Sequence, residues 1–206
     1  MSNIIVVGSS GKDEHFKIRS FYGLPKVFHS FLKKTIPVSG ISELLGPEWD
    51  RNKVYGLLEA NSLSPVKYSY GGRAPHVAYG VARLGGGVRL ITTFGRDYDH
   101  PYPGFFDGGY YSHLANNSVG MRTVIVKDSS KTSFLSKDVL NAGVWIVMDK
   151  TTSTITCVKD VENNEFFIID DVEGASGVEK FRPIPEYEFE SVDILFVTSS
   201  ETPFMK

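Results

Sequence analysis

The chain has 206 residues, of which 41% are apolar and 22% are charged, and its formal net charge is −2. This length suits one large domain, or one domain with a small lid, and such a chain can bury a core without metal or disulfide support. A nucleic-acid surface needs a basic excess and a membrane span needs about 20 consecutive apolar residues, and the sequence offers neither.

The first apolar run predicts a buried strand followed by a loop. Ile4 to Val7 is a short β-branched run that ends at Gly8, which is typical of a central parallel strand. Residues 8–13 read Gly-Ser-Ser-Gly-Lys-Asp and are predicted to form a loop. Ligands bind beyond the carboxyl ends of the strands in open α/β sheets, so this loop is a candidate ligand site.

The N-terminal sequence indicates a cellular location, and the number of cysteines limits the disulfide chemistry. The apolar run starts too close to Met1 for a secretory signal peptide, and no basic segment precedes it, so a cytoplasmic protein is expected. Cys157 is the only cysteine, which excludes an internal disulfide framework. It lies in a β-type run and is predicted to be a buried structural thiol rather than a nucleophile.

Residues 16–68 are predicted only in part, because four prolines and several glycines interrupt any regular pattern. Helical pieces are expected near Val27–Lys34 and over Arg51–Ala60. The remainder is expected to hold strands of a lid or an insertion.

The clearest pattern in the sequence is a strand, a glycine turn and a helix. Val66 to Tyr70 alternates apolar and polar residues, which predicts a strand with one solvated face. Gly71 and Gly72 interrupt this strand. The sequence from Ala74 to Leu84 then has the apolar spacing of an amphipathic helix, with a proline in its first turn.

Two further glycines have predicted roles in and after this helix. Gly85 suits the left-handed position that follows a helix. Gly80 weakens the helix by about 1 kcal/mol relative to alanine, so close backbone packing is expected there. Val88 to Thr93 is predicted to be another buried strand.

The rest of the chain predicts an aromatic loop, a short helix and a series of strands. The loop covers Tyr98–Gly109 and the helix covers Tyr110–Asn116. A hairpin within the series indicates antiparallel strands and therefore a separate small sheet. The predicted strands are Arg122–Lys127, Val144–Met148, Thr152–Lys159, Glu165–Ile169 and Asp193–Val197.

Three spaced features resemble the N-terminal half of the PfkB, or ribokinase-like, kinases. The opening strand with Asp13 shortly after it is similar to the family's first strand, whose aspartate holds substrate hydroxyls. The run from Gly71-Gly72 to Gly85 resembles the family's first signature, a glycine pair followed by a helix that ends Ala-x-Leu-Gly. Gly95-x-Asp97 after a strand is similar to the family's Gly-x-Asp. Later segments agree more loosely.

The resemblance implies a fold and a reaction. The implied fold is a three-layer α/β domain with a mostly parallel central sheet, helices on both sides and a small β lid. Lid strands and insertions are expected within residues 16–70 and 121–170. The implied reaction is phosphorylation of a sugar or nucleoside hydroxyl with ATP and Mg²⁺, and a homodimer through the lid is a further expectation.

The residues that would hold the substrate are Asp13, Gly71, Gly72 and His76. An ionised aspartate only accepts hydrogen bonds and can take two sugar hydroxyls at once. A glycine pair lets the backbone approach a polyol and donate its N–H groups. The family usually has asparagine at the position of His76, so an unusual substrate is expected.

The family's second signature, Asp-Thr-x-Gly-Ala-Gly-Asp, does not occur in the sequence. Its glycines present N–H groups to phosphates and its last aspartate is the general base. The nearest string, residues 173–177, lacks that aspartate, so no catalytic residue is assigned. Either the C-terminal nucleotide-binding part is missing from this chain, or a partner supplies it, or the protein does not catalyse.

The sequence leaves two rival functions open, and two smaller predictions concern Asp97 and a metal site. The rivals are a non-catalytic homologue that serves as a binding or assembly module, and a Rossmann-type NAD-dependent oxidoreductase suggested by the glycines after the first strand. Asp97 is expected to cap the turn that follows it. The acidic and histidine residues Asp97, Asp99, His100, Asp107 and His113 match no metal pattern, so no metal site is predicted.

Overall fold

The computed structural model describes residues 3–102, 108–134, 143–170, 174–175, 184 and 186–198. Within these residues the chain forms two five-stranded sheets and helices that pack on them. The strands are β1 (Ile4–Val7), β2 (Gly11–Lys17), β3 (Thr35–Pro37), β4 (Lys67–Gly71), β5 (Val88–Gly95), β6 (Thr123–Val126), β7 (Val144–Val147), β8 (Thr154–Lys159), β9 (Glu165–Asp170) and β10 (Ile194–Val197). The α-helices are α1 (Ile41–Leu45), α2 (Arg51–Ala60), α3 (Arg73–Arg83) and α4 (Tyr110–Asn116).

The central sheet has the strand order β10-β1-β5-β7-β6, and all of its neighbouring strands are parallel. Such a sheet is covered on both faces, which is why β1 and β7 consist of continuous apolar residues. Helices α3 and α4 cover one face through Ala74, Ala78 and Leu114. On the other face, Phe189 and Val192 pack against strands β1 and β5.

The second sheet has the order β3-β9-β8-β2-β4 and mixes parallel and antiparallel pairs. Its side chains alternate between a covered and an open face. On the covered face, Phe16, Val158 and Phe166 are buried beneath residues 21–58, which contribute several aromatic rings to this core. The open face carries Asp13 and Cys157, and both are only partly buried.

The largest difference from the sequence prediction concerns residues 8–13, which were expected to form a loop. The turn is shorter, and Gly11–Lys17 forms strand β2 of the second sheet. The sequence Gly-Lys-Asp-Glu-His-Phe-Lys has few apolar residues, so local propensity does not predict a strand. It becomes one because β4 and β8 pair with it on both sides.

This strand also argues against the oxidoreductase hypothesis. A dinucleotide-binding motif requires a helix directly after the glycine loop, so that the helix N-terminus faces the pyrophosphate. Here the turn after β1 leads into another strand instead.

Other elements agree with prediction to different degrees. The helices predicted at Arg51–Ala60 and Tyr110–Asn116 are present with those bounds. The helical piece expected near Val27–Lys34 is a 3-10 helix over Lys26–Phe31. The strands predicted near 122–127 and 144–148 belong to the central parallel sheet, so only β8 and β9 of the late strands lie in the separate sheet.

The predictions for Cys157, Gly80 and Gly85 agree with the structure to different degrees. Cys157 is a free thiol, as predicted, but it is half-buried rather than buried. Gly85 has a φ of 82° and takes the left-handed position after α3, as predicted. The close packing expected at Gly80 is wrong, because a Cβ added there would meet no neighbouring atom within 4 Å.

Alanine at Gly56 or Gly80 is expected to stabilise the protein. Both glycines lie inside α-helices, and a Cβ at either position meets open space. Each substitution should raise the free energy of unfolding by about 0.5–1 kcal/mol, because alanine restricts the unfolded chain and favours the helix. Urea unfolding followed by circular dichroism measures the change. Gly95→Ala is the contrasting variant and should destabilise, because its Cβ would clash with the backbone at Thr151 and Thr152.

Candidate functional site

The Gly71-Gly72 turn brings the two sheets together at the carboxyl end of β1. A Cβ at Gly72 would lie 2.5 Å from the Ser9 carbonyl oxygen, and Gly72 has a φ of 86°. A Cβ at Gly71 would lie 2.6 Å from Oδ1 of Asp13. Both positions therefore require glycine, because the space of a side chain is occupied by the turn after β1 and by the Asp13 carboxylate.

Hydrogen bonds hold the parts of this site in place. The Ser10 hydroxyl donates to the Thr93 carbonyl oxygen at 2.5 Å, which anchors the turn after β1 to strand β5. The Tyr110 hydroxyl of α4 donates to the Gly71 carbonyl oxygen at 2.6 Å. The rings of Tyr70 and Tyr110 stack at 4.2 Å between centroids. The glycine turn is thus fixed from both the central sheet and α4.

Asp13 is a half-buried carboxylate on the open face of the second sheet. It lies opposite Ser69 on β4 and beside Ile155 on β8. Burial raises the pKa of Asp13, and the nearby imidazoles of His15 and His76 partly oppose that increase. No donor in the described part of the chain forms a hydrogen bond with its side chain, so its acceptor capacity is available to a ligand.

His76 is exposed near the N-terminus of α3, close enough to Asp13 to lower the pKa of that carboxyl group. The four residues selected from the sequence, Asp13, Gly71, Gly72 and His76, therefore lie around one place. Their role in binding a substrate stays a prediction.

Sequence reasoning missed two neighbours of this site. His15 points to the same face as Asp13, and its Nε2 lies 2.9 Å from Oγ of Ser69. The alternation of side chains along β2 would have revealed it, had that strand been predicted. Tyr110 is buried, and burial followed by the charge of Asp13 raises its pKa well above the ordinary value. No spacing in the sequence connects Tyr110 to residue 13.

Asp97 joins the second sheet to the central sheet. Its Oδ1 accepts a hydrogen bond from the backbone N–H of Thr152 at 2.6 Å. Its Oδ2 lies 3.3 Å from the Lys12 ammonium and accepts from the Tyr102 hydroxyl at 2.9 Å. Asp97 therefore has a structural role, as predicted, but its partners are not backbone groups of the turn that follows it.

The acidic and histidine residues between positions 97 and 113 do not form a metal cluster in the described part of the chain. Asp99 accepts hydrogen bonds from the backbone N–H and the hydroxyl of Ser112, near the start of α4. Asp107 lies outside the described residues. Among the residues that the structure describes, no group of three His, Cys, Asp or Glu side chains is placed to hold a metal ion. No helix in that part is long and apolar enough to cross a membrane.

Solved structures of small-molecule kinases have the same arrangement of sheets. A nucleoside kinase of Methanocaldococcus jannaschii, an archaeal member of the ribokinase family, matches with a TM-score of 0.56 and 18% identity, over 96% of this chain and 44% of that one. The ribokinase of Cryptococcus neoformans var. grubii serotype A in complex with ADP matches with a TM-score of 0.55 and 17% identity, over 99% and 42% of the two chains. This chain has the ribokinase-like fold.

A third match agrees with this assignment. The ribokinase of Thermotoga maritima has a TM-score of 0.52 and 18% identity, over 100% of this chain and 47% of its own. The chain thus spans less than half of each of these structures. No protein-family model and no curated relative matches the sequence. In this ribokinase-like fold, the candidate site lies where the second sheet meets the carboxyl end of β1 and the start of α3.

Asparagine at Asp97 is expected to destabilise the protein in a pH-dependent way. Burial alone would raise the pKa of Asp97, but the Thr152 N–H, Lys12 and Tyr102 together bring it below its ordinary value. A depressed pKa stabilises the fold above the pKa of the unfolded state, and that stability is lost as the pH falls through the folded pKa. Asp97→Asn should lower the free energy of unfolding by about 1–3 kcal/mol at pH 7.

Urea unfolding from pH 7 to pH 3 tests this expectation. The gap between Asp97→Asn and the unchanged protein should narrow as the pH falls through the depressed folded-state pKa of Asp97, because both proteins then carry a neutral side chain there. A gap that stays constant with pH would show that the charge of Asp97 does not stabilise the fold. Asp50→Asn is the control, since asparagine also caps helices well and Asp50 caps α2.

Proposed function

We propose that this chain is the substrate-binding part of a ribokinase-like kinase and that it binds a sugar or a nucleoside through its hydroxyl groups. One observation carries the proposal: the half-buried Asp13 carboxylate lies against a glycine turn and has no hydrogen-bond donor in the described part of the chain. The fold supports it, because similar solved structures are a nucleoside kinase and ribokinases.

The chemistry of the site suits a polyol. An ionised Asp13 accepts hydrogen bonds from two vicinal hydroxyls, and a partly desolvated carboxylate forms strong ones. Gly72 is the N-cap residue of α3, and the first N–H groups of this helix have no partner within the helix and can donate to ligand oxygens. The His76 imidazole adds a group that can donate or accept.

The described residues include no recognisable nucleotide or metal site. The Asp-Thr-x-Gly-Ala-Gly-Asp run is not in the sequence, and residues 173–177, its nearest match, lie mostly outside the described residues. No cluster of metal-ligating side chains was found among the described residues. ATP and Mg²⁺ therefore enter through the resemblance alone, and the proposal for this chain ends at substrate binding.

The cytoplasmic location and a homodimer through the second sheet also belong to the proposal. The homodimer rests on the resemblance, and the cytoplasmic location stays an expectation from the sequence. One face of that sheet is covered by the chain's own residues 21–58, so a dimer through it would have to use the open face or an edge strand.

Isothermal titration with D-ribose, D-fructose and adenosine tests the proposed function. At least one of these ligands should bind, and Asp13→Asn should weaken that binding about 10-fold or more, because charge-assisted hydrogen bonds are lost. Glu43→Gln is the control, since Glu43 is exposed on α1 and has no contact with the site. Binding of NADH, with no binding of any sugar or nucleoside, would contradict the proposal.

A pair of glycine variants tests the same site from its other side. Gly71→Ala places a methyl group against the Asp13 carboxylate and should abolish binding, while Gly80→Ala in α3 should keep it. Equal binding by both variants would show that the turn is not part of the site. A non-catalytic binding module makes the same binding predictions, so these titrations test substrate binding and not phosphoryl transfer.

A further inference from the structure

A concave pocket of about 360 Å³ lies on the open face of the second sheet, one step along the strands from Asp13. Basic and polar side chains from β2, β4, β8 and the hairpin after β8 surround it. These polar side chains include His15, Lys17, Lys67, Cys157, Lys159 and Asn163. We call this the lysine pocket.

The lysine pocket continues directly from the candidate site. Alternate residues of a strand point to the same face and lie about 7 Å apart, so Asp13, His15 and Lys17 form one row. His15 lies opposite Lys67 on β4 and beside Cys157 on β8. Burial raises the pKa of Cys157, and the charge of Glu165 adds to this increase while that of Lys159 opposes it.

The pocket has an excess of positive charge. Lys17 and Lys67 form no ion pair among the described residues, and Lys159 meets Glu165 only at 3.9 Å. Asp160 is the one carboxylate among the residues that line the pocket. Its oxygens accept hydrogen bonds from the backbone N–H groups of residues 21, 162 and 164 and do not pair with the lysines. Three ammonium groups around a concave surface attract an anion, and lysine is a common phosphate ligand.

We propose that the lysine pocket binds the phosphate group of a substrate whose hydroxyls bind at Asp13. The inference rests on the proposed function and narrows its substrate class to phosphorylated polyols. The spacing suits a single small molecule, because an anion between His15 and Lys67 lies about 7 Å from Asp13, roughly the length of a sugar phosphate. The phosphate end then points along β2, away from the glycine turn.

Matched ligand pairs test the proposal by isothermal titration. D-ribose 5-phosphate and D-fructose 6-phosphate are each compared with the parent sugar at low salt. At least one phosphate ester should bind about 10-fold or more tightly than its parent, and the preference should shrink as salt screens the charges. The double variant Lys67→Gln and Lys159→Gln should reduce the preference to about 2-fold or less. Lys127→Gln changes an exposed lysine just after β6 and should keep the preference.

The single cysteine provides a second measurement that does not depend on activity. Cys157 is the only thiol in the chain and lines the pocket, so its rate of alkylation by N-ethylmaleimide reports on occupancy. Whichever of D-ribose 5-phosphate and D-fructose 6-phosphate binds more tightly should slow that rate several-fold in the unchanged protein and have little effect in the double lysine variant. Circular dichroism verifies that the variants are folded.

The possible results separate this inference from the proposed function. Equal affinity for a phosphate ester and its parent sugar, with loss of both in Asp13→Asn, overturns the lysine pocket and leaves the proposed function in place. Absence of binding by every sugar and phosphate ester overturns both. A phosphate preference that survives in the double lysine variant also overturns the pocket, because the anion is then held elsewhere.

Discussion

The close approach of the Gly71-Gly72 turn to the Asp13 carboxylate and to the turn after β1 is the constraint on which the rest of the site depends. Side chains at these two glycines would overlap the Ser9 carbonyl oxygen or the Asp13 carboxylate. Because the backbones can come this close, the second sheet, the central sheet and α3 meet at one point. Asp13 is thereby desolvated and held beside His76.

The two sheets achieve stability in different ways. The central sheet is parallel and buried on both faces, so it is built from apolar runs. The second sheet buries only one face, beneath residues 21–58, and a polar network extends this contact: Arg51 of α2 pairs with Asp170, and the Tyr55 hydroxyl meets Thr156. The other face stays open, which leaves polar side chains free to contact a ligand.

An ion pair between Lys12 and Asp97 links the two sheets. Lys12 belongs to the second sheet and Asp97 follows β5 of the central sheet, so their ion pair fixes the orientation of one sheet relative to the other. The Thr152 N–H donates to the same carboxylate just before β8 begins. A single aspartate therefore holds both β2 and β8 near the central sheet. The open face, and with it the arrangement of Asp13, His15 and the lysine pocket, depends on this anchor.

Local patterns in the sequence were enough to predict several elements. The α3 segment has helical spacing, a proline in its first turn and a glycine after its end, and strands β1 and β5 are apolar runs, so all three were predicted close to their observed bounds. The site residues at the glycine turn followed from the resemblance. Pairing with β4 and β8 makes residues 11–17 a strand, since that segment is too polar to indicate one. The fold also brings His15 and Tyr110 near Asp13 and places three lysines around the neighbouring pocket. Contacts between residues distant in sequence leave no periodic signal, so the sequence did not predict these neighbours.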